Sequence, residues 1–307
     1  MRMVPYSREN KDYNLSGKNG TLTKYIDFSA INDAEILFKR LQLIKYIALD
    51  MDGTIYKGSN LYPFTIPFLE TLKSLNIKYS FLTNNPSKAT ADYLRHLNEM
   101  GIHAHENEML TSARATIDYI KYAFPQFKNL FILGTPSMIS EFEAEGFISV
   151  DSGSTPDAVI VSFDKSLVYQ RLCQAAYWVS LGLPYIATNP DRVCPTDLPL
   201  VLVDCGAICA CIEYAVNRKP DIIIGKPDPR MLEGVLKKNN LLPSEVAMCG
   251  DRIYTDVRTA YNAGALSVLV LSGEATLEDT KKSELKPDVI VNDLGIFGEM
   301  LKYARGQ

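Results

Sequence analysis

Residues 46–54 read Tyr46-Ile47-Ala48-Leu49-Asp50-Met51-Asp52-Gly53-Thr54. A short apolar run that ends on turn-forming residues is the pattern of a buried strand. Side chains alternate along a strand, so Asp50 and Asp52 are expected to leave its carboxyl end on one face. Two carboxylates held that close repel each other unless a cation or a shared proton intervenes. This suits a Mg²⁺ site in which one carboxylate attacks and the other handles a proton. A calcium-binding EF-hand loop starting at Asp50 fails, because its sixth position is Ile55 instead of Gly and its twelfth is Leu61 instead of Glu.

Outward from this stretch, helical and extended patterns alternate. Residues 64–75 and 88–100 repeat apolar positions at helical spacing, the second run closed by Gly101, and a further helix is expected after Thr111. Strands are expected at 79–83, 130–133, 158–162, 184–187, 221–224, 246–249, 267–271 and 288–291, which implies βαβ units and a parallel α/β sheet. On the amino-terminal side, Ile36, Leu37, Leu41 and Ile44 fit a short helix capped by Asn32 or Asp33. Residues 1–32 read as a loosely packed extension, and 151–156 as a turn.

Three further polar clusters follow expected strands. Gly250-Asp251-Arg252-Ile253-Tyr254-Thr255-Asp256 places more carboxylates beyond a strand end, and Asp251 would complete a site of oxygen ligands for a hard cation. Lys226 in Gly225-Lys226-Pro227 is placed to neutralise a phosphate oxygen or a carboxylate nucleophile. Thr83-Asn84-Asn85-Pro86 offers a hydroxyl, two amides and backbone N–H groups to phosphate oxygens. All four elements are expected at strand ends of one sheet, where open α/β folds bind ligands. A Walker loop is excluded by Pro220 and Pro227, and no G-x-S-x-G elbow is present. No cysteine has an arginine six positions later, a Cys205–histidine pair has little support, and His103 and His105 read as an exposed loop.

Composition narrows the class. Thirty-two basic against 36 acidic residues in 307 leave a net charge of −4, so no overall positive field draws nucleic acid. No window approaches the ~18 apolar residues of a membrane span, and residues 1–24 are polar, unlike a signal peptide. Six scattered cysteines without a C-x-x-C pair read as reduced thiols, so cytoplasmic residence is expected.

The order Asp50-x-Asp52-Gly53-Thr54, Thr83-Asn84-Asn85, Gly225-Lys226-Pro227 and Gly250-Asp251 to Thr255-Asp256 resembles the four motifs of the haloacid dehalogenase-like (HAD) phosphohydrolases. Residues 50–61 and 81–86, Thr188-Asn189-Pro190-Asp191 and Asn262-Ala263-Gly264 resemble the NagD-like, type IIA branch. The resemblance spans residues 44–305. It implies a Rossmann-like parallel-sheet core, 44–119 and 205–307, with an inserted α/β cap of C2 type at 120–204, the helix from Gly206 returning to the core and residues 1–43 lying outside as an extension. It also implies that Asp50 is the nucleophile forming an aspartyl-phosphate and Asp52 the acid/base. Mg²⁺ would be held by Asp50, the backbone carbonyl of Asp52 and Asp251, with Asp256 supporting. Thr83, Asn84 and Lys226 would hold the phosphoryl group.

Two departures stand out. Many members of the branch carry Pro-Gly-x-Gly after the Thr-Asn-Pro-Asp turn, whereas this chain reads Leu198-Pro199-Leu200-Val201, and Ala260 replaces a frequent Gly. Asn189, Asp191 and Arg192 are polar residues after an apolar run and are expected to set substrate choice from the cap. The expected function is a Mg²⁺-dependent phosphatase acting on a small phosphorylated metabolite: a sugar phosphate, a phosphoglycolate-like acid or a nucleotide. A non-catalytic binding protein and a phosphotransferase are the alternatives. The expected partners are that small molecule and, through the cap, a second copy of the chain.

Overall fold

The computed structural model describes residues 34–86, 89–151, 154–194 and 200–307. Tyr46–Asp50 lies inside a six-stranded, all-parallel sheet in the order Val289–Val291, Leu266–Val270, Val246–Gly250, Tyr46–Asp50, Lys78–Thr83, Met109–Thr111. All five residues of the Tyr46–Asp50 strand are buried, as a parallel sheet covered on both faces requires. Period-two alternation divides them. Ile47 and Leu49 join Leu41, Phe68 and Phe297, from the helices Ala34–Leu43, Thr65–Ser74 and Leu294–Ala304. Tyr46 and Ala48 join Ile117 and Leu232, from Ser112–Ala123 and Arg230–Asn239, on the other face.

A second all-parallel sheet runs Ile222–Ile223, Tyr185–Ala187, Ala158–Val161, Asn129–Leu133, Ile148–Ser149. Its two faces also alternate. Leu130, Ile132, Ile160 and Ile186 belong to the cluster that holds Ile117 and Leu232, so one apolar layer is shared by both sheets. Phe131, Leu133, Val159 and Val161 instead pack on the helices Tyr169–Ser180 and Cys205–Val216. The chain is thus a Rossmann-like core with an inserted α/β cap.

The boundaries differ from expectation at both ends of the cap and at the amino terminus. The helix Cys205–Val216 does not return to the core sheet. Its buried Cys205, Ile208, Cys209 and Ile212 lie against the cap sheet, and the next strand, Ile222–Ile223, pairs with Tyr185–Ala187. The crossing at residue 205 is what the family resemblance implies, and an i, i+3, i+4, i+7 stripe, which identifies an apolar face without naming the sheet it meets, does not correct it. The expected entry at residue 120 falls within the helix Ser112–Ala123. Residues 34–43 are not an outlying extension either, since Leu37 and Leu41 are buried in the core cluster. The expected caps Asn32 and Asp33, the extension before them, Leu198 and Pro199 lie outside the described residues.

Candidate active site

The Tyr46–Asp50 strand delivers the buried Asp50 carboxylate to the carboxyl edge of the core sheet. The neighbouring strand Val246–Gly250 delivers Asp251, and the turn after it Asp256. One carboxylate oxygen from each of Asp50, Asp251 and Asp256 lies within 4.8 Å of the others. The Lys226 ammonium is buried between Asp50 and Asp256, with the Asp256 contact at 2.7 Å. These two carboxylates hold the lysine pKa above its ordinary value against the opposing effect of burial.

Three carboxylates against one lysine leave an acidic excess. Burial, then the charges of Asp50 and Asp256, push Asp251 up to about 7. Burial also pushes Asp256 up to about 6, opposed by Lys226. Asp256 is committed through both oxygens, to Lys226 Nζ and to the Arg252 N–H at 3.1 Å. Asp251 differs. Its Oδ2 accepts from the Glu274 N–H at 2.7 Å, but Oδ1 is buried with no hydrogen-bond partner among the described residues. An unpaired buried carboxylate oxygen beside two further acids is what a hard divalent cation satisfies, so the residues present fit Mg²⁺.

Asp52 is placed differently from expectation. The strand ends at Asp50, and Met51 O accepts from the Thr54 and Ile55 N–H groups, so Asp52 lies within a turn and not on the strand. The Asp52 side chain is exposed, outside the three-carboxylate cluster, and lines the adjoining cavity of about 530 Å³ together with Asp50, Thr83, Lys226 and Asp251. Gly53 makes that turn possible. It has φ +85°, and a Cβ there would lie 2.3 Å from Asp251 Oδ2.

Lys226 also arrives by an unexpected route. Its loop follows Ile222–Ile223, the edge of the cap sheet, so three polar elements follow core strands and the fourth reaches them from the second sheet. Thr83, at the end of Lys78–Thr83, lines the cavity, and its hydroxyl accepts from the Asn85 N–H at 3.1 Å. The Asn84 carboxamide is engaged within the protein. Its Nδ2 donates to Lys226 O at 2.9 Å and Asp191 Oδ2 at 2.8 Å, while its Oδ1 accepts from Lys226 N at 2.6 Å.

The three cap residues separate. Asn189 is fully buried and donates to Asp191 Oδ2 and Asp204 Oδ1, both at 3.0 Å, which removes it from the exposed role expected of it. Asp191 borders the cavity, whereas Arg192 is exposed and outside its described lining. A polar turn after a strand looks the same in sequence whether its side chains face solvent or one another.

Sequence reading missed Asp204, which lines the cavity from the cap. Burial, opposed by the Asn189 hydrogen bond, pushes its carboxyl up to about 6. The signal was available: Asp204 caps the helix Cys205–Val216, and an acid just before an apolar helical stripe marks an N-cap. It also missed Tyr93 and His96, which line the cavity from the helix Thr90–Glu99, and the Gly273-Glu274 backbone around Asp251, for which no local pattern exists.

Comparison with known proteins gives matches to two family models. A haloacid dehalogenase-like hydrolase model matches residues 47–148, and a HAD-hydrolase-like model matches 223–296. An acid sugar phosphatase of Staphylococcus epidermidis is 32% identical over 248 residues, covering 81% of this chain and 94% of that one. The ribonucleotide monophosphatase NagD of Escherichia coli is 32% identical over 247 residues, covering 80% and 95%. Among solved structures, a 4-nitrophenylphosphatase from Thermotoga maritima has a TM-score of 0.80 at 41% identity, covering 85% of this chain and 98% of that one. A glycerol phosphate phosphatase from Mycobacterium tuberculosis in complex with magnesium has a TM-score of 0.78 at 26% identity, covering 84% and 78%.

Proposed function

The chain belongs to the haloacid dehalogenase-like hydrolases, in their NagD-like branch, and from that premise we propose that it is a Mg²⁺-dependent phosphatase of small phosphorylated metabolites. The observation that carries the reading is the buried cluster of Asp50, Asp251 and Asp256, with Lys226 bridging Asp50 and Asp256, of which Asp50, Asp251 and Lys226 line a cavity sized for a small molecule. Relatives named as phosphatases of sugars, ribonucleotides and nitrophenol support the chemistry, and a magnesium-bound neighbour supports the cation.

In this reading Asp50, the Asp52 carbonyl and Asp251 would hold Mg²⁺, which when bound would offset the negative charge of phosphoryl oxygens and carboxylates. Asp50 attacks phosphorus, the bond to the leaving oxygen breaks, and an aspartyl-phosphate forms on Asp50. Asp52, exposed at the cavity, gives the departing alkoxide its proton. It then takes a proton from the water that cleaves the aspartyl-phosphate, releasing inorganic phosphate and restoring Asp50. Lys226 balances charge on the nucleophile and phosphoryl group throughout, and Thr83 contacts a phosphoryl oxygen. Asp256 keeps Lys226 in place.

Substrate choice is assigned to the cap wall, where Asp191, Val193, Cys194 and Asp204 line the cavity. The second copy of the chain has a candidate surface on the outer cap helices. Tyr169 and Tyr214 are 81% and 96% exposed there, with Cys173, Tyr177 and Leu181 along the same stripe. The test of the enzymatic reading is phosphate release from p-nitrophenyl phosphate and a panel of phosphorylated metabolites, with Mg²⁺ and after EDTA. Turnover with Mg²⁺ and its loss with EDTA are expected. Undiminished turnover after EDTA would refute the cation requirement.

A further inference from the structure

Asn84 sits where three segments meet. One N–H of its carboxamide goes to Lys226 O and the other to Asp191 Oδ2, while its oxygen takes Lys226 N–H, so both donors are spent within the protein. The chain continues into the cap. Asp191 Oδ2 also accepts from Asn189 Nδ2, which donates in turn to Asp204 Oδ1, and Asp191 O accepts from Gly206 N at 2.7 Å at the start of the helix Cys205–Val216. The contact has no slack. At Gly225, φ +80°, an added Cβ would lie 2.7 Å from Thr188 O and 3.0 Å from Asn84 Oδ1.

We infer that Asn84 is a positioning residue: it fixes the Lys226 backbone at both N–H and C=O and, through Asp191, ties the lysine to the cap turn instead of binding the phosphoryl group itself. This rests on the phosphatase reading, in which Lys226 acts at the phosphoryl group. Lys226 comes off the edge of the cap sheet, while the carboxylates it bridges stand on the core sheet. The Asn84 bracket is where these two frames are registered. Loss of the bracket leaves the lysine present but poorly aimed, which reduces transition-state stabilisation more than ground-state binding.

The test uses the full chain with saturating Mg²⁺ and p-nitrophenyl phosphate, whose generic leaving group makes no demand on the cap wall. Asn84→Ala is expected to lower kcat about 10- to 100-fold with KM within about threefold of wild type. Asp191→Ala should lower kcat in the same sense, and Asp191→Asn, which keeps an acceptor oxygen for Asn84, should recover most of that loss. An Asn84→Ala variant whose kcat stays within about twofold of wild type would overturn the inference, as would one whose defect lies only in KM, the signature of a lost phosphate contact. If Asn84→Ala fails to fold, the Asp191 pair decides, and equal kcat in Asp191→Ala and wild type, or in Asp191→Ala and Asp191→Asn, overturns it. A wild-type protein inactive on the whole panel would overturn the phosphatase reading and this inference with it, an outcome distinct from an active enzyme indifferent to Asn84.

Discussion

Asp251 is the residue whose surroundings ask most plainly for a cation. Its Oδ1 is buried without a partner among the described residues, and its carboxyl is pushed up to about 7 by burial and by Asp50 and Asp256. In the metal-free protein the folded state therefore holds protons here more tightly than the unfolded chain, whose value is 3.8. The stabilisation from that proton is complete below about pH 4 and is lost as pH rises through about 7. In the proposed reading Mg²⁺ would take the proton's place, so the rise in Tm on adding Mg²⁺ is expected to be small near pH 5 and to grow through about pH 8. Differential scanning fluorimetry with Mg²⁺ or EDTA across this range measures it. An equal Mg²⁺ effect at both ends, or none, would refute the assignment of Asp251 as a ligand.

At the scale of elements, function depends on turns that place side chains beyond strand ends. Gly53 carries the first of these, with φ +85° and no room for a Cβ beside Asp251. Gly53→Ala is expected to cost about 1–3 kcal/mol of stability and to lower activity further by displacing Asp251, read as a fall in both Tm and kcat. Wild-type values for both would show that the turn tolerates the change. The strands flanking these turns were legible because parallel strands buried on both faces are short apolar runs, as at 46–49 and 246–249. The partner of each turn was not. Asp52 was read one step further along the strand than the strand extends, since alternation holds only while the backbone stays extended, and Met51 already begins the turn. Asn84 and Asn189 read as groups offered to a ligand, whereas their donors are consumed within the protein, a fact that depends on residues more than a hundred positions away for Asn84.

For the whole molecule, two parallel sheets share one apolar layer, and the site forms where the carboxyl edge of one meets a loop from the edge of the other. The α/β class was legible in the alternation of segments. Membership of the helix Cys205–Val216 in the cap was not, because Ile208 and Ile212 suit any apolar surface of the right curvature. The outer cap face leaves Tyr169, Tyr177, Leu181 and Tyr214 in solvent. At ~150–250 Å² for each fully exposed aromatic side chain, pairing this face with its copy buries on the order of 1,000 Å², the lower bound of a specific interface. Sedimentation velocity at tens of micromolar is expected to show a dimer that Tyr169→Asp with Tyr214→Asp converts to monomer. A wild-type monomer at that concentration would refute it.

Asp50 is the proposed nucleophile, and rapid-quench mass spectrometry of the protein mixed with p-nitrophenyl phosphate and Mg²⁺ tests that role most directly. The result expected is one phosphoryl group on the peptide containing Asp50, accumulating in Asp52→Asn because the base that activates water is missing. It should be absent from Asp50→Asn, whose turnover should fall more than about a thousandfold. Phosphoryl label on another residue, or steady turnover by Asp50→Asn with no labelled peptide, would contradict the assignment of Asp50 as the attacking group.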